Sequence, residues 1–234
     1  MDYRAIVLGA TGAVGSALVE ALLRSERCAG VVTLGRRTSE ALAARTRAAK
    51  LDARVVDLEA LEAATRAAAV GCDVAFCALG IGQPSKVSEA EFRRVDLGYA
   101  RAFASGARAA GVRHFSLLTS VGANHRSRIR YLRVKGEVEE AVKALGFPQT
   151  SLVRPSVLIT PKARFGLEDH VLRVVMPLTS WAIPRKLHEI TTADLGRAFV
   201  LDAEAVLACA GAAGAHVLHY PELRRLLRAA AGGR

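Results

Sequence analysis

Tyr131-Leu-Arg-Val-Lys135 sets a phenol and an ammonium four residues apart, the spacing that puts both on one face of a helix. A free phenol titrates near ~10 and is a poor acid–base group at neutral pH. A neighbouring ammonium favours the phenolate and brings such a group towards the working range. A lysine there can also hold a ribose hydroxyl. Upstream, Thr119 and Ser120 close an apolar run, and either hydroxyl could orient a carbonyl undergoing reduction. The same spacing arises by chance in many chains, so its meaning depends on where the fold puts it.

A second cluster of informative residues lies near the start. Residues 9–15 read Gly-Ala-Thr-Gly-Ala-Val-Gly. Gly9 suits the tight turn leaving a strand, Gly12 a close approach of backbone N–H groups to a pyrophosphate, and Gly15 close packing of helix on sheet. Thr11, Ala13 and Val14 fill the same turn, and phosphates would meet the helix N-terminus, where free N–H groups and the macrodipole favour anions. Three glycines alone are weak evidence, since ordinary turns use them too. Between a first strand and a helix, with a second strand at βαβ distance, they mark a dinucleotide site. At the end of that second strand, NAD-binding versions place an acid for the ribose 2′-hydroxyl. Here Gly35-Arg36-Arg37 stands instead, and either guanidinium can pair with a 2′-phosphate. The reading is NADP(H) in preference to NAD(H).

The elements that must position these residues alternate. Apolar runs Arg4–Leu8, Val31–Leu34, Arg54–Val56, Asp73–Ala78, His114–Thr119 and Thr150–Val153 read as six buried strands. Helical spacing recurs through Ala13–Arg24, Leu58–Val70, Ser88–Ala110 and Tyr131–Leu145, with Ser88 and Glu91 forming a capping box. Buried strands separated by helices predict an α/β fold, a Rossmann-like doubly wound parallel sheet with helices on both faces. Pro161, Pro177, Pro184 and Pro221 break the rhythm later on, so one domain over 1–234 is expected, with residues from about 155 contributing a small C-terminal substrate cap.

With 51% hydrophobic residues the chain can bury a large core, which excludes a disordered protein. The formal charge of +11 invites a nucleic-acid reading, but the arginines are scattered and only 5% of residues are aromatic, leaving few stacking platforms. A generally basic surface is the better account. The four cysteines form no C-x-x-C pair, His170, His188, His216 and His219 show no ligand spacing, and no metal is expected. Residues Ala5 to Leu23 are interrupted by glycines and Glu20, so neither a membrane span nor a targeting segment is read there, and a cytoplasmic location is expected. His114 and Trp181 read as packed residues, and Arg126, Arg128, Arg130 and Arg133 as cover for a helix entrance.

Together these stretches resemble the short-chain dehydrogenases/reductases, and more closely their atypical, Tat-interactive-protein branch of oxidoreductase-like proteins. The likeness is carried by Phe76-Cys-Ala-Leu-Gly80, Phe92-Arg-Arg-Val-Asp96, His114 to Ala123, Tyr131 to Glu139, Arg154-Pro-Ser-Val-Leu158 and Thr191-Thr-Ala-Asp-Leu-Gly196. The resemblance implies Ser120 as the catalytic serine, Tyr131 as the acid–base and Lys135 as its partner. It also implies contacts from Asp57 and Leu58 to adenine, from Ala78, Leu79 and Gly80 to ribose and pyrophosphate, and from Pro155, Val157 and Leu158 to nicotinamide. Many short-chain reductases carry an asparagine in the helix before the fifth strand; Val95-Asp96-Leu97 occupies that stretch here.

The expected function is NADP(H)-dependent reduction of a small carbonyl substrate. An NADP(H)-binding regulatory module with little turnover, and a sugar-nucleotide epimerase or dehydratase, are the alternatives.

Overall fold

The computed structural model describes residues 2–37, 49–156, 158–159, 188–209 and 214–232. Val157, His170 and Trp181, and Pro161, Pro177 and Pro184 of the expected cap, lie outside the described residues.

Strands β1 (Tyr3–Leu8), β2 (Cys28–Gly35), β3 (Leu51–Val55), β4 (Val74–Cys77), β5 (His114–Leu118), β6 (Gln149–Val153) and β9 (Gly214–Leu218) form one parallel sheet. Its order is β3-β2-β1-β4-β5-β6-β9, the doubly wound arrangement in which the chain reverses direction between β1 and β4. The central strands are buried on both faces because helices cover both. Ala5 and Val7 point into a layer with Val14, Leu18 and Leu22 of α1 (Ala13–Arg24), while Ile6 and Leu8 point into the opposite layer. That second layer holds α2 (Leu61–Ala68), α4 (Ala100–Ala109) and α5 (Arg130–Ala144).

Three local outcomes differ from the sequence expectation. The region expected to be one helix over 88–110 is α3 (Glu89–Arg93), a π-helical turn Arg94–Tyr99, and α4. Ser88 does cap it, accepting from the Glu91 N–H at 3.1 Å. The stretch from Leu58 opens with a 3-10 turn, Leu58–Ala60, before α2.

The third difference is the largest. Residues from about 155 were expected to supply a small cap, but among the described residues 188–209 and 214–232 add to the sheet and its helical layer. β9 pairs with β6 as a seventh strand, and α6 (Thr192–Ala208) and α7 (Tyr220–Gly232) enter the α1 layer through Leu195, Phe199, Leu223 and Leu227. Gly196 permits the α6–α1 crossing, since a Cβ there would stand 2.6 Å from the Ala17 carbonyl carbon. The edge strand β9 escapes a periodicity reading because its first residues, Gly214 and Ala215, are exposed. A short two-stranded parallel pair, β7 (Leu158–Ile159) and β8 (Ile190–Thr191), follows the carboxyl end of β6.

Beneath the sheet sits a polar knot. Ser151 on β6 donates to Asp202 of α6 at 2.6 Å, His114 Nε2 lies 2.7 Å from Ser151 Oγ, and His216 Nε2 lies 3.0 Å from Asp202. Burial pushes the His114 imidazole down to about 4, whereas the bond to Asp202 raises that of half-exposed His216. Folding therefore keeps His114 neutral, and the stability it preserves is lost as pH falls from ~6.5 towards 4. The His216 contribution has the opposite sign: it is present below ~6.5 and lost as pH rises through its folded value. Thermal melts across pH 4–8 should show His114→Gln losing about 3 kcal/mol less than the parent between neutrality and pH 4. Parallel acid limbs would refute this.

Candidate active site

The loop after β1 and the loop after β4 flank the point where the sheet reverses direction, and they nearly touch. Gly9 has φ +90, and a Cβ on it would stand 2.6 Å from the Leu79 nitrogen. The Gly12 N–H donates to the Gly9 carbonyl at 3.0 Å, closing the turn, and a Cβ on Gly15 would fall 2.0 Å from the Gly9 oxygen. Only glycine satisfies both contacts. Gly12 is the N-cap of α1 and no side chain caps it, so the N–H groups of the first turn, at Ala13, Val14 and Gly15, are left for an anion. These features fit a dinucleotide pyrophosphate.

A cleft of about 600 Å³ runs from this turn across the ends of β2 and β3. Gly9, Thr11, Arg36, Arg37, Leu79 and Gly80 line it, together with Asp57 and Leu58 at its far wall. Arg36 and Arg37 are exposed at the rim. Asp57 also caps the 3-10 turn, accepting from the Glu59 N–H at 3.0 Å. Sequence reasoning missed Arg54, Arg94 and Tyr99 on the same wall; Tyr99 donates to Glu59 at 2.7 Å and Arg54 pairs with Asp52 at 2.6 Å. Ala78 is buried at the end of β4.

The other half of the site belongs to α5. Tyr131 and Lys135 share a face, with Lys135 Nζ 5.9 Å from the Tyr131 ring centre. Phe92, fully buried, stacks on Tyr131 at 5.9 Å and 25° between planes. The Arg130 guanidinium lies 6.0 Å from the centre of the Phe92 ring and donates to the Pro84 carbonyl at 2.5 Å. Arg133 reaches Glu89 at 3.5 Å. Two of the four arginines near Tyr131 thus tie α5 to the 84–92 segment. Lys135 is buried and lies against Gly80, where a Cβ would come within 3.3 Å of Nζ. Gly80 lines the cleft, whereas Ser120, Tyr131 and Lys135 stand outside its lining.

The structure separates the two hydroxyls that the sequence left equal. Thr119 is buried and donates to Glu139 at 2.7 Å. Arg154 Nε donates to the same carboxylate at 2.8 Å, and Arg154 Nη2 to its other oxygen. Glu139 is buried one helical turn beyond Lys135, so this network locks the ends of β5 and β6 against α5. Ser120 is half-buried and makes a 3.3 Å bond to the Val121 carbonyl. The Val121 N–H in turn donates to the Pro155 carbonyl at 3.0 Å. Pro155 is buried beside the serine loop, and Leu158 lies in β7.

Sequence reasoning also passed over Gly136. A Cβ there would stand 2.1 Å from the His125 nitrogen and 2.3 Å from the Asn124 carbonyl carbon, so this glycine lets α5 press directly on the loop that follows Ser120. A glycine inside a helix is a signal in itself, since it costs about 1 kcal/mol against alanine.

A family model described as NAD(P)H-binding matches residues 9–186, most of the chain and all of this site. The chain belongs to that NAD(P)H-binding family. Within it, the chain is an atypical short-chain dehydrogenase/reductase, as the likeness to known relatives shows. The rat protein HTATIP2 is 39% identical over 155 residues, 65% of this chain and 62% of that one. The mitochondrial protein FMP52-1 of Scheffersomyces stipitis is 33% identical over 66% of this chain and 67% of its own length. Among solved structures, the UDP-Glc/GlcNAc 4-epimerase of Campylobacter jejuni superposes with a TM-score of 0.70 at 11% identity, covering 97% of this chain and 82% of that one. The oxidoreductase ylbE of Lactococcus lactis gives 0.66 at 17% identity, covering 96% and 97%. At such identities the structural likeness speaks to the fold alone.

The family likeness corrects one expectation. A cytoplasmic location was inferred from the lack of a targeting pattern, but the fungal relatives are named mitochondrial proteins, which overturns it. No helix among the described residues is long and apolar enough to cross a membrane.

Proposed function

We propose that this protein is an NADP(H)-dependent reductase of a small carbonyl compound. The observation that supports the reading is the meeting of Lys135 with Gly80, a residue of the glycine-loop cleft, which sets the Lys135 end of α5 behind that part of the wall. When bound, the reduced nicotinamide supplies the hydride. The chain's own residues do the rest. The α1 N-terminus and the Gly9–Gly15 turn bind the pyrophosphate. Asp57 and Leu58 border the adenine, while Ala78, Leu79 and Gly80 border ribose and pyrophosphate. Pro155 and Leu158 flank the nicotinamide end.

Ser120, whose hydroxyl makes a long bond to the neighbouring Val121 carbonyl among the described residues, orients the substrate oxygen. Thr119, committed to Glu139, positions the strand end instead. Tyr131 Oη delivers a proton to the developing alkoxide, and the Lys135 ammonium stabilises the negative charge left on the phenol oxygen.

The NADP(H) preference rests on Arg36 and Arg37, exposed at the cleft rim where an NAD-binding chain carries an acid. Fluorescence titration tests it, with a carbonyl panel run on the tighter cofactor. Arg36→Ala with Arg37→Ala should weaken NADPH by about 10- to 100-fold and NADH by less than about threefold, the loss of one or two charged contacts to phosphate. Equal losses for both cofactors would remove the arginines from 2′-phosphate recognition. NADPH binding without oxidation by any carbonyl would favour the regulatory-module reading.

A further inference from the structure

One carboxylate lies directly against Lys135, and it comes from the π-helical turn between α3 and α4. Asp96 Oδ1 is 2.7 Å from Lys135 Nζ, and Asp96 Oδ2 accepts from the Ile81 N–H at 2.9 Å. Both side chains are buried. Gly80 closes over the pair: a Cβ there would stand 3.0 Å from Asp96 Oδ1 and 3.3 Å from Lys135 Nζ. Three elements converge on this one contact: the loop after β4, the π turn and α5.

We propose that Asp96 is a positioning residue of the active site, the counter-ion that anchors Lys135 against the Gly80–Ile81 backbone. A buried ammonium with no partner sheds its proton, because desolvation penalises the charged form. Burial pulls Lys135 in that direction, but Asp96, aided by Tyr131, outweighs it, and the lysine is held above its ordinary range. Three further titratable groups lie near it. Cys77 on β4 is a buried thiol pushed up to about 12, and Tyr131 lies on the same helix face. Glu139, one turn further on, is committed to Arg154 and Thr119. An asparagine at 96 could still accept from the Ile81 N–H but would carry no charge. The charge of Asp96 is therefore what keeps Lys135 an ammonium. Its value to catalysis rests on the reductase reading above; the ion pair does not.

The test is an NMR titration of the cofactor-free protein with lysines labelled at Cε, the Lys135 signal being assigned by its loss in Lys135→Met. In the parent, the Lys135 midpoint should lie above that of an exposed lysine, and in Asp96→Asn it should fall by about two units or more. An unchanged midpoint in folded Asp96→Asn overturns the proposal. Should Asp96→Asn fail to fold, the double variant Asp96→Asn/Lys135→Met, which has neither charge, should fold and melt within a few degrees of the parent. A double variant that also fails to fold overturns the counter-ion role. A parent without NADPH turnover would count against the reductase, while the lysine titration would still decide the role of Asp96.

Discussion

Replacing Tyr131 with phenylalanine should lower kcat by about a thousandfold while NADPH affinity stays within about twofold of the parent. The ring is already held by packing: Phe92 stacks on one side and Arg130 lies beyond Phe92. Phenylalanine fills the same space, so the fold and the cleft wall survive and only the transferable proton is lost. General acid–base groups contribute roughly 10²- to 10⁴-fold, which sets the scale. Single-turnover oxidation of NADPH by the best carbonyl of the panel measures the loss, and cofactor fluorescence measures binding. Turnover retained within tenfold would remove Tyr131 from the chemistry.

The second large effect should come from a residue that touches no substrate. Gly136→Ala places a methyl 2.1 Å from the His125 nitrogen, a contact that backbone cannot accommodate without moving. Either α5 or the 120–125 loop must shift, which separates Ser120 from Tyr131. Overpacking of this kind costs about 3 kcal/mol, and displacement of a catalytic group by about 1 Å costs on the order of 100-fold in rate. Thermal melting and kcat should therefore fall together, with NADPH affinity changed far less, because the glycine cradle lies on another element. An alanine variant with parental kcat would show that the serine loop need not be held against α5.

Both expectations draw on one mechanical fact. α5 carries Tyr131, Lys135 and Glu139 along a single face, and each is tied to a different neighbour: Phe92, Asp96 and the Thr119/Arg154 pair. The helix is thus registered against three segments that meet at the carboxyl edge of the sheet. A buried ion pair such as Asp96–Lys135 is a weak source of net stability, but breaking it by removing one partner is costly. That asymmetry makes the charged pair a device for fixing geometry.

The cofactor half of the site was legible because its determinants are local. Gly9, Gly12 and Gly15 sit on one turn between one strand and one helix, and backbone conformation along seven residues is written in those residues. The alternation of strands and helices up to Val153 was legible for a similar reason, as the central strands, buried on both faces, read as continuous apolar runs. The exception is β3, expected as a buried strand over Arg54–Val56: it is a largely exposed edge strand over Leu51–Val55, with no buried run to mark its start. β9 and α6 were not, because an edge strand that is exposed at its start has no such run and gains its place only by pairing with β6.

The α5 half of the site divides along the same line. Sequence by itself determined that Tyr131 and Lys135 share a helix face and that a hydroxyl stands at the end of β5, since helix pitch and strand position are local properties. Tertiary structure alone decided which hydroxyl is available, because Thr119 is claimed by Glu139 from a helix 20 residues away. It alone turned Asp96 from a departure in a motif into the counter-ion of Lys135, and Gly136 from a weak helix residue into a contact point for the serine loop. The physical reason is common to all three. Burial, charge pairing and steric clearance are properties of segments brought together by folding, and spacing along the chain does not encode them.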